Sequence, residues 1–277
     1  MELVPRPIER PLVAPHDPGA ESLGTIDGLK AFLGGIGFIV ITPSVWLYSL
    51  VPVVMFLIVM AVFSTLGIWG VEQLRRVLVD ESSSSWAHVG SWVLWFVLLV
   101  LVMFSGVILA LVTAQPLSGF ALERIAHVQE RKLTGETRPR PNFFVSLWST
   151  TKVVMVALSV GIPIFTAFFI IDLAFPPATV VTVPLRVLVS GWLLAWDFVD
   201  YPLGLRGLGL GARFRWVGRN FEAFTTFGLL WALIIFVPGV VLLLLPMGVA
   251  GATRLVVADD RAQGFGKDLI IEGVPHG

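Results

Sequence analysis

No cysteine occurs in the 277-residue chain, which excludes disulfides, thiolate nucleophiles and cysteine-based metal sites. Charge is scarce as well. Asp, Glu, Lys and Arg together make up 14% of residues, against about a quarter in an ordinary soluble domain. The two signs balance at 19 residues each, so the basic excess that holds a protein to nucleic acid is missing and nucleic acid is excluded as a partner. The four histidines (His16, His88, His127 and His276) are scattered, no two at metal-ligand spacing. The sequence has no phosphate-cradling loop, dinucleotide fingerprint or nucleophile elbow. These absences leave no metal, no cofactor and no enzymatic chemistry to expect.

What is present is apolar. Hydrophobic residues reach 56% and the mean hydropathy is +0.87. A chain so poor in charge cannot cover a water-facing surface, so membrane lipid must be the solvent for much of it. The expected class is an all-α integral membrane protein. Residues 1–21 carry Pro5, Pro7, Pro11, Pro15 and Pro18 among mixed charges and contain no apolar core. They read as a disordered cytoplasmic tail rather than a signal peptide. Residues 259–277 read as a second polar tail, leaving one membrane domain over 22–258.

Charge-free runs locate the spans. Ala31 to Val71 contains no Asp, Glu, Lys or Arg, far more than the ~20 residues one span needs. Gly34, Gly35, Gly37 and Pro43 break its first part into an expected interfacial lead-in, and a span follows from Trp46 to Trp69, anchored by Arg75 and Arg76. Asp80 to Ser85 is a polar turn. The second span runs from Trp92 to Thr113. Its helix continues into water with Leu117, Phe120, Ile125 and Val128 as an apolar stripe and Pro116 as a possible kink. These are the two long transmembrane helices.

The remaining apolar sequence predicts two partly penetrating helical hairpins. Val153 to Ile171 covers about 28 Å, barely a crossing. On the return arm only ten uncharged residues separate Arg186 from Asp197. Asp172 and Arg186 stand equally far from Thr179, so a turn at Pro176-Pro177-Ala178-Thr179 brings them together as an ion pair. Ala223 to Thr253 holds 31 uncharged residues, too few for two crossings of ~20 each. With Pro238-Gly239 and Pro246 in its middle it is either one broken span or a second shallow hairpin.

Two basic clusters set orientation. Arg124, Arg131, Lys132, Arg138 and Arg140 form one, and Arg206, Arg213, Arg215 and Arg219 the other; both are expected in the cytoplasm. Arg213 to Glu222 reads as an interfacial amphipathic helix with Phe214, Val217, Phe221 and Phe224 on one face and Arg215, Arg219 and Glu222 on another. It anchors the following hairpin or collects anions at a pore mouth. Five of the ten tryptophans (Trp46, Trp69, Trp86, Trp148 and Trp216) fall near predicted interfaces, where aromatic belts form.

From Phe198 the sequence reads FVDYPLGLRGLGLGARFRWVGRN and then FTTFGLLWALIIFVPGVVLLLLPMGVAGATRL. Asp200-Tyr201-Pro202, the basic helix through Arg219, Phe227-Gly228, Pro238, and Pro246 with Ala250-Gly251-Ala252-Thr253 resemble the CysZ sulfate permease family, whose domain is shared with eukaryotic etoposide-induced proteins. Ala114-Gln115-Pro116-Leu117, leading to Leu122-Glu123-Arg124 and Glu130, resembles that family's entry into a long helix. The resemblance runs over residues 27 to 258. It implies two long spans, two partly penetrating hairpins, and passive, channel-like sulfate uptake by an oligomer. It also implies an arginine pair between two prolines at the start of the first long helix. Between Pro43 and Pro52 those positions hold Trp46 and Leu47, which cannot serve a doubly charged anion as guanidinium does.

Charges within membrane segments are functional candidates because burying them is costly. The transport candidates are Asp172, Arg186, Asp197, Asp200, Arg215 and Arg219, with pairing or turn-fixing as the structural alternative for the aspartates. Glu123, Arg124 and Glu130 are expected to form ion pairs between helices or subunits. The resulting expectation is a permease for a small inorganic anion acting as a homo-oligomer. The alternative is a non-transporting scaffold or lipid-handling protein of the same fold.

Overall fold

The computed structural model describes residues 21–78, 85–135, 143–234 and 241–263. These form α1 (Thr25–Ile41), a 3-10 turn (Pro43–Val45), α2 (Trp46–Leu78), α3 (Ser85–Thr134), α4 (Phe143–Ala174), a second 3-10 turn (Pro176–Ala178), α5 (Thr179–Leu205), α6 (Leu210–Arg219), α7 (Phe221–Ile234) and α8 (Val241–Ala262). No strand occurs among the described residues. The protein is all-α, and four stretches of the described residues are long and apolar enough to cross a bilayer: Pro43–Val77, Val89–Ala110, Thr151–Ala174 and Pro176–Leu205. The tails up to residue 20 and from 264, the polar turn at 79–84, and Arg138, Arg140, Pro238 and Gly239 lie outside the described residues.

The molecule has a packed part and an extended part. α1, α5, α7 and α8 enclose an aromatic core in which Trp231, fully buried, meets Phe32 at 4.8 Å, Phe198 at 5.8 Å and Phe227 at 6.2 Å between ring centroids, all edge to face. By contrast, α2, the first half of α3, and α4 leave most of their apolar side chains exposed. That is the surface a lipid environment requires, since a soluble protein would bury it.

The glycines of the first apolar run do not break it. α1 is continuous through Gly34, Gly35 and Gly37, because two of the three serve helix contact. A Cβ on Gly35 would overlap the Met247 carbonyl and stand 2.7 Å from Gly251 N, and one on Gly34 would strike the Arg254 side chain. α1 is therefore an unbroken helix packed on the core, not a run broken at its glycines. Its contacts also settle the last apolar run. Gly28 approaches Ala223 and Thr226, and Phe32 then meets Trp231, so α1 and α7 run the same way. Gly251 approaches Ala31 while Gly35 approaches Met247, so α8 runs oppositely. α7 (Phe221–Ile234) and α8 are thus antiparallel, as the two arms of a hairpin are.

Two further readings need revision. α3 is an uninterrupted helix of 50 residues, about 75 Å long. Beyond its span the buried positions include Ser118, Leu122, Ile125, Ala126 and Gln129, whereas Leu117 and Phe120 are exposed. This segment is gripped by α5 and α8, so its inner face is set by protein neighbours rather than by the most apolar stripe. The helix after α5 also differs, because α6 ends at Arg219 and α7 starts at Phe221. Arg213, Trp216 and Asn220 point inward, while Phe214 and Phe221 are exposed.

Candidate functional site

The end of α5 collects the charge that the membrane segments lack. α5 closes in a Schellman turn: Leu208 N–H donates to the Leu203 carbonyl at 3.2 Å and Gly207 N–H to Gly204 at 2.9 Å, with Gly207 at φ +67°. A side chain there would be strained, so glycine permits the reversal into α6. The turn sets Arg206 and Arg213 on opposite sides of a short link, both facing inward.

Three groups of ion pairs result. Arg206, 4% exposed, lies 3.1 Å from Glu130 of α3, itself 2% exposed, and its Nε donates to Asp260 of α8 at 3.0 Å. A further donor of Arg206 caps the Pro202 carbonyl at 2.8 Å. Arg213 pairs with Asp200, both nearly enclosed, and its Nε donates to Leu208 O at 2.8 Å. Arg219 pairs with Asp259, whose carboxylate also accepts from Trp216 Nε1 and Gln263 Nε2, each at 2.8 Å. Burial pushes the Asp259 carboxyl above its usual range, with Arg219 opposing it. Asn220 ties this corner to the start of the fold by accepting from Leu23 N–H at 3.1 Å. Four elements (α3, α5, α6 and α8) are thereby joined through guanidinium groups.

Arg206 and Arg213 are thus interior groups and not members of a solvent-facing basic cluster. Asp259 and Asp260 belong to α8, which runs four residues past the 258 boundary read from sequence. Trp216 is a buried donor, not a belt residue. Arg215 is exposed and pairs with no acid among the described residues. Glu123 and Arg124 are half-buried on α3, one turn or so before His127. His127 is itself buried, and Nε2 has no partner among the described residues. Burial holds its imidazole below the ordinary value, with Glu130 opposing and Arg124 reinforcing that shift.

A second polar point lies at the α4–α5 tip. Asp172 pairs with Arg186 and accepts from Thr182 Oγ1 at 2.5 Å, while Arg186 stands 5.9 Å from the Phe168 ring. Asp197 is half-buried on α5 between this pair and Asp200. At the α1–α2 junction, Trp46 donates from Nε1 to Ile39 O at 2.7 Å, and Leu47 is 75% exposed. Neither presents a cation there. Lys132 crosses from α3 to donate to Thr42 Oγ1 at 2.8 Å. Among the described residues no three His, Asp or Glu side chains are grouped to hold a metal ion.

Sequence reasoning missed Arg206, Asp259 and Asp260 as members of the site. Gly207 marks where the chain reverses after α5, but nothing local tells which helices Arg206 meets.

Comparison with known proteins gives a consistent family. The family model described as sulfate transporter CysZ/etoposide-induced protein 2.4 matches residues 31–246. A sulfate transporter CysZ of Pseudomonas fluorescens (strain Pf0-1) is 27% identical over 242 residues, 81% of this chain and 91% of the relative. The protein of that name from Pseudomonas aeruginosa (strain LESB58) is 27% identical over 256 residues, covering 87% and 95%. That from Pectobacterium atrosepticum is 27% identical over 247 residues, covering 84% and 85%.

Proposed function

This chain belongs to the sulfate transporter CysZ/etoposide-induced protein 2.4 family, and from that premise we propose that it is a permease or channel for sulfate or a related small anion. In this reading the anion enters the cytoplasm passively. The protein is a homo-oligomer of the inner (plasma) membrane with both termini cytoplasmic, and it performs no catalysis. The observation that carries the proposal is the near-full-length likeness to bacterial sulfate transporters. Nothing comparable supports a scaffold or lipid-handling role.

The geometry supports a route along α5. At about 100° per residue, Arg186, Ser190, Asp197 and Asp200 share one face of that helix. They form a polar line of about 21 Å from the hairpin tip to the arginine groups. Sulfate leaving water needs several charge-assisted N–H donors, which guanidinium supplies. Arg219 and the exposed Arg215 offer these at the mouth. Arg213 and Arg186 offer them deeper, each by exchanging its carboxylate partner for the anion. Trp46 and Leu47 give no donor set at the start of α2, so recognition falls to the α5–α6 end.

Both hairpins are read as penetrating only part of the bilayer. The α4–α5 tip supports this by its chemistry: Leu173, Phe175, Val180 and Val181 are all strongly exposed around the Pro176–Ala178 turn. A tip that emerged into water would expose these side chains to it. One held in hydrocarbon would not, and the Asp172–Arg186 pair then neutralises its own charge close by.

The proposal is tested in a bacterium stripped of its own sulfate uptake, grown with sulfate as sole sulfur source. Expression of this chain should restore growth. Absence of growth with the protein present in the membrane would overturn the reading.

A further inference from the structure

α1 and α8 each carry one cation where an apolar run stops. Lys30 is the last charged residue before the uncharged stretch Ala31 to Val71, and Arg254 is the first after Ala223 to Thr253. The two helices pack antiparallel through Gly35 and Gly251, so both boundaries fall at the same end of the pair. From that end the uncharged sequence of both helices runs the same way into hydrocarbon, which sets the two cations at the level of the lipid headgroups.

Arg254 is seated against α1. A Cβ on Gly34 would stand 2.6 Å from Arg254 Cδ and 2.9 Å from its Nε and Nη1, so the missing side chain lets the guanidinium rest on the α1 backbone. Arg254 is nonetheless exposed, and it pairs with no acid among the described residues. Arg206, Arg213 and Arg219 differ, because each meets an aspartate. Lys30 lies one turn before Gly34 on the same face of α1. Its side chain is 66% exposed, and its ammonium stands 3.7 Å from Asp27. Leu33, Gly37 and Ile41 continue this face into the apolar run. Leu33 and Ile41 are strongly exposed, and a Cβ on Gly37 would meet nothing within 4 Å.

The corner therefore offers an uncompensated guanidinium at the edge of an open apolar strip. A phosphate group accepts two parallel N–H donors from a guanidinium, and basic residues beside membrane helices at headgroup level recognise acidic lipids. A free inorganic anion would satisfy the charge and leave Leu33 and Ile41 bare. A lipid covers both.

We infer that the corner formed by Arg254, Gly34 and Lys30 binds an acidic phospholipid, with its phosphate on Arg254 and its acyl chains along Leu33 and Ile41. The site is separate from the arginine groups at the end of α5, and it does not depend on what the protein transports.

Native mass spectrometry of the detergent-purified protein with added phosphatidylglycerol tests the site. Wild type should retain phosphatidylglycerol in preference to phosphatidylcholine. Arg254→Gln should weaken that retention by about tenfold, whereas Arg131→Gln, which removes an exposed cation of α3, should not. Equal retention of the two lipids, no loss in Arg254→Gln, or an equal loss in Arg131→Gln would overturn the assignment. Displacement of the lipid by inorganic phosphate at equal concentration would mark a free-anion site and overturn it as well. A photoactivatable phosphatidylglycerol applied to wild type makes the test independent of how Arg254→Gln folds. Its label should fall on α1 and α8, and label confined to other helices would contradict the inference.

Discussion

Arg213 shows how the interior charges constrain single residues. Its guanidinium and the Asp200 carboxylate are each about 6% exposed and face one another. Replacing one partner leaves the other charged in a poorly solvated place, at a cost of about 3–5 kcal/mol. Arg213→Met should therefore lower the melting temperature in detergent sharply, and Arg213→Met with Asp200→Leu should recover much of the loss. Equal losses in the single and double variants would show that the pair is not coupled. His127 makes a prediction in pH. Its folded value lies below the ordinary 6.5 because of burial, so below that pH the unfolded chain binds a proton that the folded chain does not. Stability from this group is intact above ~6.5 and is lost as pH falls below it. Wild type should melt lower at about pH 5.5 than at about pH 7.5, and His127→Gln should show a smaller difference. These residue-level facts were unevenly legible. Asp172 and Arg186 could be paired from their symmetry about Thr179, because a hairpin joins residues close in sequence. Arg206, Glu130 and Asp260 could not, because three separate elements must first be packed.

At the scale of elements, close approach decides which glycines matter. Gly35→Ala places a methyl against Met247 O and Gly251, which should cost about 1–3 kcal/mol through overpacking. A Cβ on Gly37 meets nothing within 4 Å, so Gly37→Ala should be neutral or stabilise by up to about 1 kcal/mol. Parallel thermal melts of the two variants check this, and equal destabilisation would contradict the packing described for α1 and α8. In the sequence Gly34, Gly35 and Gly37 all looked like helix breakers, because nothing local distinguishes a flexible glycine from one pressed on a neighbour. The α4–α5 tip is checked by chemistry from outside. Thr179→Cys in intact cells should resist a membrane-impermeant maleimide, since the apolar tip stays in hydrocarbon. Ready labelling would mean that both arms cross.

For the whole molecule, composition alone placed the chain in a bilayer, because so little charge cannot cover a soluble surface. The two long helices and the first hairpin turn were also legible, since uninterrupted apolar runs and Pro-Pro pairs act locally. What was not legible was the division into a lipid-facing part (α2, the start of α3, and α4) and a packed part closed by buried arginines. That division depends on contacts between α1, α5, α7 and α8 across the full chain. It also bears on function, because the arginine groups gather at the end of α5 while the α1–α2 junction has Trp46 and Leu47 facing outward. The central claim is that this arrangement conducts sulfate without catalysis, and purified protein in liposomes tests it most directly. Uptake of radiolabelled sulfate should exceed that of empty vesicles, saturate the internal volume without an imposed ion gradient, and fall in Arg219→Gln. Flux no greater than in empty vesicles, from protein that elutes and melts as a folded species, would contradict it.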